Sequence, residues 1–167
     1  GLPRLRMAEP IARWIKARTN WQRRALMAGF GALAALGQAP FSLTILSFVG
    51  FAAAFWSFST TSNRRQAFWV GVSFGTGYFG LALHWIVEPF LVDLARHGWM
   101  APFALVFMAF GLSLIWGGAF ALAHPRGRLA LVATLTGAEL VRAYLFGGFP
   151  WAMPAYALVD GWAGQGA

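Results

Sequence analysis

The sequence contains no cysteine and very little charge. Only 11% of its 167 residues are Asp, Glu, Lys or Arg, whereas 59% are hydrophobic. Soluble domains carry about 25% charged residues, so this chain has too few charges to cover its apolar surface in water. The missing cysteines exclude a disulfide framework, a thiolate metal site and a cysteine nucleophile within these residues. The composition therefore indicates a membrane protein.

Acidic residues are especially scarce, with five against thirteen Lys and Arg and a net charge of +8. A basic chain can bind nucleic acid, but here the positions of the charges favour another explanation. Seven basic residues precede the first apolar run: Arg4, Arg6, Arg13, Lys16, Arg18, Arg23 and Arg24. Most of the others lie in short gaps between later runs. This pattern is typical of membrane topology signals, and no nucleic-acid partner is expected.

The apolar runs predict an all-α fold, a polytopic transmembrane helical bundle of about five spans. A helix needs roughly 20 apolar residues to cross a bilayer core of about 30 Å. The predicted bundle covers residues 25–146, with spans at 25–39, 41–59, 67–88, 101–123 and 129–146. Residues 147–167 form a Gly, Pro and aromatic segment that we expect to lead to a sixth span missing from this sequence.

Residues 1–24 form a basic leader with Ile11, Trp14, Ile15 and Trp21 at helical spacing. An interfacial helix on anionic lipid and a flexible basic flank explain this pattern equally well.

The distribution of Lys and Arg predicts the orientation of the bundle. One alternating set of gaps, including the leader, holds eleven of these residues, and the other set holds only Arg96. Basic residues near span ends stay in the cytoplasm, so we expect a cytoplasmic N-terminus in the bacterial inner membrane. Residues 147–167 then lie in the periplasm.

Glycines are concentrated in the third predicted span. Gly71 and Gly75 form a G-x-x-x-G pair, which Gly77 and Gly80 extend. Small residues let helix backbones approach closely in a membrane. Packing within one polypeptide is favoured here over a dimer interface.

Two pairs of polar residues lie at helical spacing. His84 and Glu88 are four apart, but no third ligand at metal-site spacing accompanies them, so no metal is expected and a position among lipid headgroups is favoured. Glu139 and Arg142 are three apart and can pair along one face. Structural pairing and binding of a lipid headgroup are equally open for this second pair.

The segment after the fifth span is rich in Gly, Pro and aromatic residues. Pro150 removes a backbone donor and biases Phe149 away from helix, so the span must end there. By composition alone, Phe149, Trp151 and Tyr156 suggest an interfacial aromatic belt. The sequence has no phosphate-binding, dinucleotide-binding or hydrolase motif, and no cofactor is expected.

Taken in order, these features resemble the apolipoprotein N-acyltransferase family. That family has an Ala-x-x-Pro-Phe-like turn after its first span, a glycine-rich third span ending in Trp, a Glu-x-x-Arg-like element and a Gly-Phe-Pro-Trp signature. The corresponding segments here are 37–41, 71–86, Glu139 with Arg142, and 148–151. Tyr156 occupies a family aromatic position shortly afterwards. The similarity runs from about Ala25 to the end of the sequence.

The resemblance implies a membrane enzyme that moves an acyl chain from a phospholipid to the α-amino group of the diacylglyceryl-cysteine of apolipoproteins. Its partners would be the phospholipid donor, the diacylglyceryl-modified apolipoproteins and membrane lipid. The family reacts through a cysteine thioester, assisted by Glu and Lys, in a nitrilase-like domain absent from this chain. No catalytic residue can therefore be placed, and the chain alone should be inactive. The resemblance gives these substrate-binding candidates: Trp151, Pro150, Phe149, Gly148, Tyr156, Glu139 and Arg142.

Two alternatives remain open. A small transporter or channel would use His84, Glu88, Glu139 and Arg142 to line a pathway. The gathering of these groups in the outer half and the lack of an internal repeat argue against it. The second alternative is a membrane module without chemistry.

Overall fold

The computed structural model describes Arg13, residues 17–38 and residues 41–145. All regular secondary structure in these ranges is helical, which confirms the predicted all-α class. Five long helices follow one another along the chain: α1 (Asn20–Ala35), α2 (Thr44–Ser59), α3 (Arg64–Ala82), α4 (Ala101–Ala123) and α5 (Arg128–Leu145). Most of the basic leader, for which an interfacial helix and a flexible flank are equally open, and all of residues 147–167 lie outside the described residues.

Helix α1 begins before the apolar run that predicted it. Its first residue is Asn20, and the backbone N–H of Thr19 donates to Gln22 Oε1 at 3.1 Å. This contact is the reciprocal half of a capping box, which satisfies a backbone donor at the helix start. The polar residues around Thr19 therefore start the helix.

Helix α3 lies between α1 and α4, and its glycines allow both contacts. A Cβ at Gly77 would overlap the carbonyl oxygen of Ala28 in α1. On the side facing α4, a Cβ at Gly71 would lie 2.8 Å from Phe120 Cγ, and one at Gly75 would lie 2.9 Å from Ser113 Cβ. These contacts agree with packing within one polypeptide, the favoured explanation of the glycine-rich stretch.

The third predicted span is not one straight helix. Helix α3 ends at Ala82, and the axis turns by 61° into the stretch His84–Leu91. Pro89 lies in this stretch and has no N–H to donate to the Trp85 carbonyl, which disfavours a continuous α-helix. Short helical turns occupy the connection to α4: His84–Val87, Glu88–Leu91, Leu94–His97 and Gly98–Met100.

Within the described ranges, one helical stretch is long and apolar enough to cross a membrane, Leu94–Arg126. In the most apolar 18 residues of this stretch, only 39% are buried inside the bundle, so much of its apolar surface faces outward. Helix α3 and His84–Leu91 are long and apolar enough only if the bent pair is counted as one span. Helix α2, Thr44–Ser59, is apolar but too short to meet the same length criterion. The count of about five spans stays a prediction.

The core is aromatic and is centred on Trp116 of α4. Its ring stacks on Phe74 with 5.7 Å between centroids and lies 4.8 Å from the ring of Phe79. Phe120 is also fully buried and meets Phe58 of α2 edge-on at 5.7 Å. Aromatic pairs at these distances add about 0.5–1.5 kcal/mol each beyond their burial. The ring cluster thus fixes α4 against α3.

The close contact of α1 with α3 predicts opposite effects for two substitutions in α1. In Gly31→Ala the new methyl group would overlap the Phe74 carbonyl oxygen, so the protein purified in detergent should unfold at a lower temperature. Overpacking of this kind costs about 1–3 kcal/mol.

Gly29→Ala is the matched control, because Gly29 is exposed and no atom lies within 4 Å of its added Cβ. Alanine favours a helix by about 0.5–1 kcal/mol over glycine, so this variant should match or exceed the wild type. Thermal unfolding followed by circular dichroism compares the two. Equal midpoints would contradict the close α1–α3 contact.

Candidate functional site

Five polar or amphipathic side chains from α3, α4, α5 and the end of α1 form a buried polar cluster. Its members are Gln38, Tyr78, Trp116, Glu139 and Arg142. Each is buried or largely buried, and each contacts another member through a hydrogen bond, an ion pair or a ring contact.

Glu139 and Arg142 form an ion pair on one face of α5. Arg142 Nη2 lies 2.5 Å from Glu139 Oε2, and Arg142 Nε donates to Glu139 Oε1 at 3.3 Å. The exposed fraction is 3% for the arginine side chain and 15% for the glutamate side chain. A guanidinium placed so deeply requires a counter-charge, because an unpaired buried charge is costly. The spacing of three residues supplies it within the same helix.

A second helix holds the same carboxylate. The indole Nε1–H of Trp116 donates to Glu139 Oε1 at 2.7 Å, which joins α4 to α5. The Arg142 guanidinium also lies 5.4 Å from the ring centroid of Phe79 in α3, within cation–π range. Buried tryptophan normally finds an acceptor for its N–H, and here the acceptor is a charged group. The ion pair is therefore linked to α4 by a hydrogen bond and to α3 by a cation–π contact.

Tyr78 and Gln38 extend the cluster toward the end of α1. Gln38 Nε2 donates to the Tyr78 hydroxyl oxygen at 2.9 Å, and both side chains are buried. The Tyr78 ring lies 5.0 Å from the ring of Trp116. Gln38 belongs to the 37–41 segment that carries part of the family resemblance, although Ala39 and Pro40 lie outside the described residues. This hydrogen bond fixes the end of α1 against α3.

The described residues include only two of the seven predicted substrate-side residues, Glu139 and Arg142, and the structure brings these two together. The other five lie outside the described ranges: Gly148, Phe149, Pro150, Trp151 and Tyr156. His84 and Glu88 are exposed, follow the bend after α3 and are not members of the buried polar cluster. His84 Nδ1–H donates to the Leu81 carbonyl at 2.7 Å. Among the described residues, no group of three His, Asp or Glu could hold a metal ion.

Sequence reasoning missed Trp116, Tyr78 and Gln38. One signal for Trp116 was available, because it lies well inside the apolar run 101–123 instead of at its end. Interfacial tryptophans lie at span ends, whereas an internal one needs a buried acceptor for its N–H. Glu139 and Asp93, each 23 residues away, were the nearest acidic candidates in sequence. Nothing in the spacing of Tyr78 and Gln38 indicates their contact.

The fold and the cluster define a helical protein that encloses a charged pair in an aromatic core. The sequence model described as "Apolipoprotein N-acyltransferase N-terminal domain" matches residues 30–167. The chain belongs to this family, as the resemblance predicted.

Named relatives agree with this assignment. The apolipoprotein N-acyltransferase of Caulobacter vibrioides is 40% identical over 151 residues, which cover 84% of this chain and 28% of the relative. The enzyme of the same name from Rhodopseudomonas palustris is 35% identical over 161 residues, 90% of this chain and 30% of the relative. The enzyme of the same name from Brucella suis is 35% identical over 155 residues, which cover 83% of this chain and 29% of the relative. The chain thus spans less than a third of the length of these relatives.

The ion pair predicts a large difference between two Glu→Gln substitutions. Glu139→Gln removes the charge that compensates the buried Arg142 guanidinium, so the free energy of unfolding should fall by about 3–5 kcal/mol. Glu88→Gln is the matched control, because Glu88 is exposed, and surface changes usually stay within about 0.5 kcal/mol. Denaturant unfolding in detergent, followed by circular dichroism, measures both. Similar losses in the two variants would contradict the assigned pairing.

Proposed function

We propose that this chain is the membrane-embedded N-terminal part of an apolipoprotein N-acyltransferase. The parent protein transfers an acyl chain from a phospholipid to the α-amino group of the diacylglyceryl-cysteine of bacterial apolipoproteins. The observation that carries this proposal is the match of the family's N-terminal domain to residues 30–167, together with relatives that bear the enzyme's name. Phospholipid, diacylglyceryl-modified apolipoproteins and membrane lipid are the proposed partners.

The proposed setting is the bacterial inner membrane, crossed about five times, with a cytoplasmic N-terminus and periplasmic residues 147–167. The excess of eleven basic residues over one in alternate gaps supports this orientation. The outward-facing apolar surface of α4 supports a lipid environment, because Phe103, Phe107 and Phe110 are all exposed there. Such a row of exposed rings would be unfavourable in water.

The proposed substrate side is the segment after α5. Gly148, Phe149, Pro150 and Trp151, with Tyr156 beyond them, would face the lipid substrates at the periplasmic surface. The described part of α5 ends at Leu145, and Gly148 is three residues further along the sequence. A helix rises about 1.5 Å per residue, which places the Arg142 backbone about 5 Å from that end.

Glu139 and Arg142 would support this substrate-side segment from inside the bundle. Their mutual pairing and deep burial favour a supporting role over direct headgroup binding, the two alternatives that sequence spacing leaves open.

The chain itself would be a scaffold without catalytic power. The family's reaction moves the acyl group from the phospholipid to a cysteine and then from the cysteine to the amine, and this sequence has no Cys. The cysteine and its assisting Glu and Lys would belong to the remaining part of the parent, since the chain covers 28–30% of its relatives. The membrane part would admit lipid substrates laterally and present them to that domain.

The proposal predicts unequal effects for two tryptophan substitutions in a full-length parent. Trp151→Ala removes a substrate-side ring and should lower the rate of lipoprotein N-acylation on the order of tenfold, which corresponds to about 1.4 kcal/mol of lost transition-state contact. Trp56→Ala is the control, because Trp56 lies half-buried in α2, near the end of that helix which the proposed orientation places on the cytoplasmic side.

Mass spectrometry of lipoprotein N-termini measures both variants, with protein abundance checked by immunoblot. Equal losses would remove Trp151 from the substrate side. A wild-type parent without any N-acylation would overturn the proposed function.

A further inference from the structure

Helix α5 is attached to the bundle by both apolar and polar contacts. Three of its residues are buried, namely Leu131, Ala138 and Arg142. Large apolar side chains elsewhere on the helix are exposed, with Leu129 at 87% and Tyr144 at 84%. On the buried face, Leu131, Leu135 and Ala138 pack in or against the hydrophobic core, and the buried Arg142 adds a charged group to this face.

Two side-chain hydrogen bonds connect α5 to α4. Near the start of α5, Thr134 Oγ1 donates to the Ala119 carbonyl at 3.0 Å. Nearer its end, Glu139 Oε1 accepts from Trp116 Nε1 at 2.7 Å. A shift of α5 by one residue would rotate its side chains by about 100° and break both bonds. The pair of bonds thus adds a directional constraint on the rotation and the depth of the helix to its apolar packing.

The indole of Trp116 is well suited to act as a fixed donor. Its ring is 1% exposed and is in contact with three rings of α3, those of Phe74, Tyr78 and Phe79. A hydrogen bond to an ionised acceptor is shorter and stronger than one between neutral groups. Because the Trp116 ring is held in the α3–α4 core, its N–H also fixes where the Glu139 carboxylate lies.

We propose that Trp116 is a positioning residue that acts through Glu139 to set the rotation and depth of the outer end of α5. Gly147, where the Gly, Pro and aromatic segment begins, is two residues beyond Leu145 in the sequence. The predicted effect on acyl transfer rests on the proposed function of that segment. The positioning of α5 itself does not.

The absence of native cysteine allows a direct test on this chain. Spin labels are attached at Val92→Cys and Tyr144→Cys, two positions that are 89% and 84% exposed. Pulsed electron paramagnetic resonance then gives the distribution of distances between the two labels, one in the connection after α3 and one near the end of α5. Trp116→Phe, which keeps an aromatic ring but removes the N–H, should shift or broaden this distribution. Trp56→Phe should leave it unchanged.

An unchanged distribution in folded Trp116→Phe would overturn the proposal. If that variant fails to fold, the combined change Glu139→Leu and Arg142→Met takes its place. It removes the acceptor together with both charges, so no unpaired charge is left in the core. The same shift is expected for this pair, and wild-type distances would again overturn the proposal.

Activity of the full-length parent tests whether Trp116 acts through Glu139. Trp116→Phe should lower the N-acylation rate several-fold, and adding Trp116→Phe to the combined change Glu139→Leu and Arg142→Met, which removes the acceptor, should cause no further loss. Additive losses would overturn action through Glu139. If the wild-type parent transfers no acyl group, the proposed function fails, whereas the spin-label distances still decide the positioning role.

Discussion

The structure depends on the compensation of one buried positive charge. Arg142 is 3% exposed, and its guanidinium is paired with a carboxylate on the same helix. That carboxylate also accepts a hydrogen bond from Trp116 of the neighbouring helix. An ion pair buried in this way contributes little net stability compared with apolar packing, but separating its partners is costly. Its role is therefore best described as specification of how α5 sits against the core.

Close backbone packing elsewhere makes this arrangement possible. Gly31 and Gly77 bring α1 and α3 together, and Gly71 and Gly75 bring α3 and α4 together. The aromatic rings of α3 and α4 then meet around Trp116, which leaves its N–H directed to α5. Small residues on one pair of helices thus fix the donor that orients another helix.

Sequence patterns predicted what depends on local spacing. Apolar runs predicted the helical class, and the ordered motifs predicted the family. The three-residue spacing offered a Glu139–Arg142 pair as one of two open alternatives. The bend after Ala82 and the contacts of Trp116 and Tyr78 were missed. A bend depends on how a local break is tolerated by neighbouring helices, and the two side chains find partners 23 and 40 residues away. Such long-range pairing is set by packing, which a single sequence does not display.

The most direct test measures the contact between Trp116 and Glu139. Solid-state NMR of the chain in lipid, with ¹⁵N in the tryptophan indole and ¹³C in the glutamate carboxyl carbon, detects dipolar coupling between the two groups. Trp116→Phe identifies the signal. We predict a strong coupling that disappears in that variant, together with a strong coupling between Glu139 and a ¹⁵N-labelled Arg142 guanidinium. Absence of the indole coupling in the wild type would contradict the account, because α5 would then lack its attachment to the core.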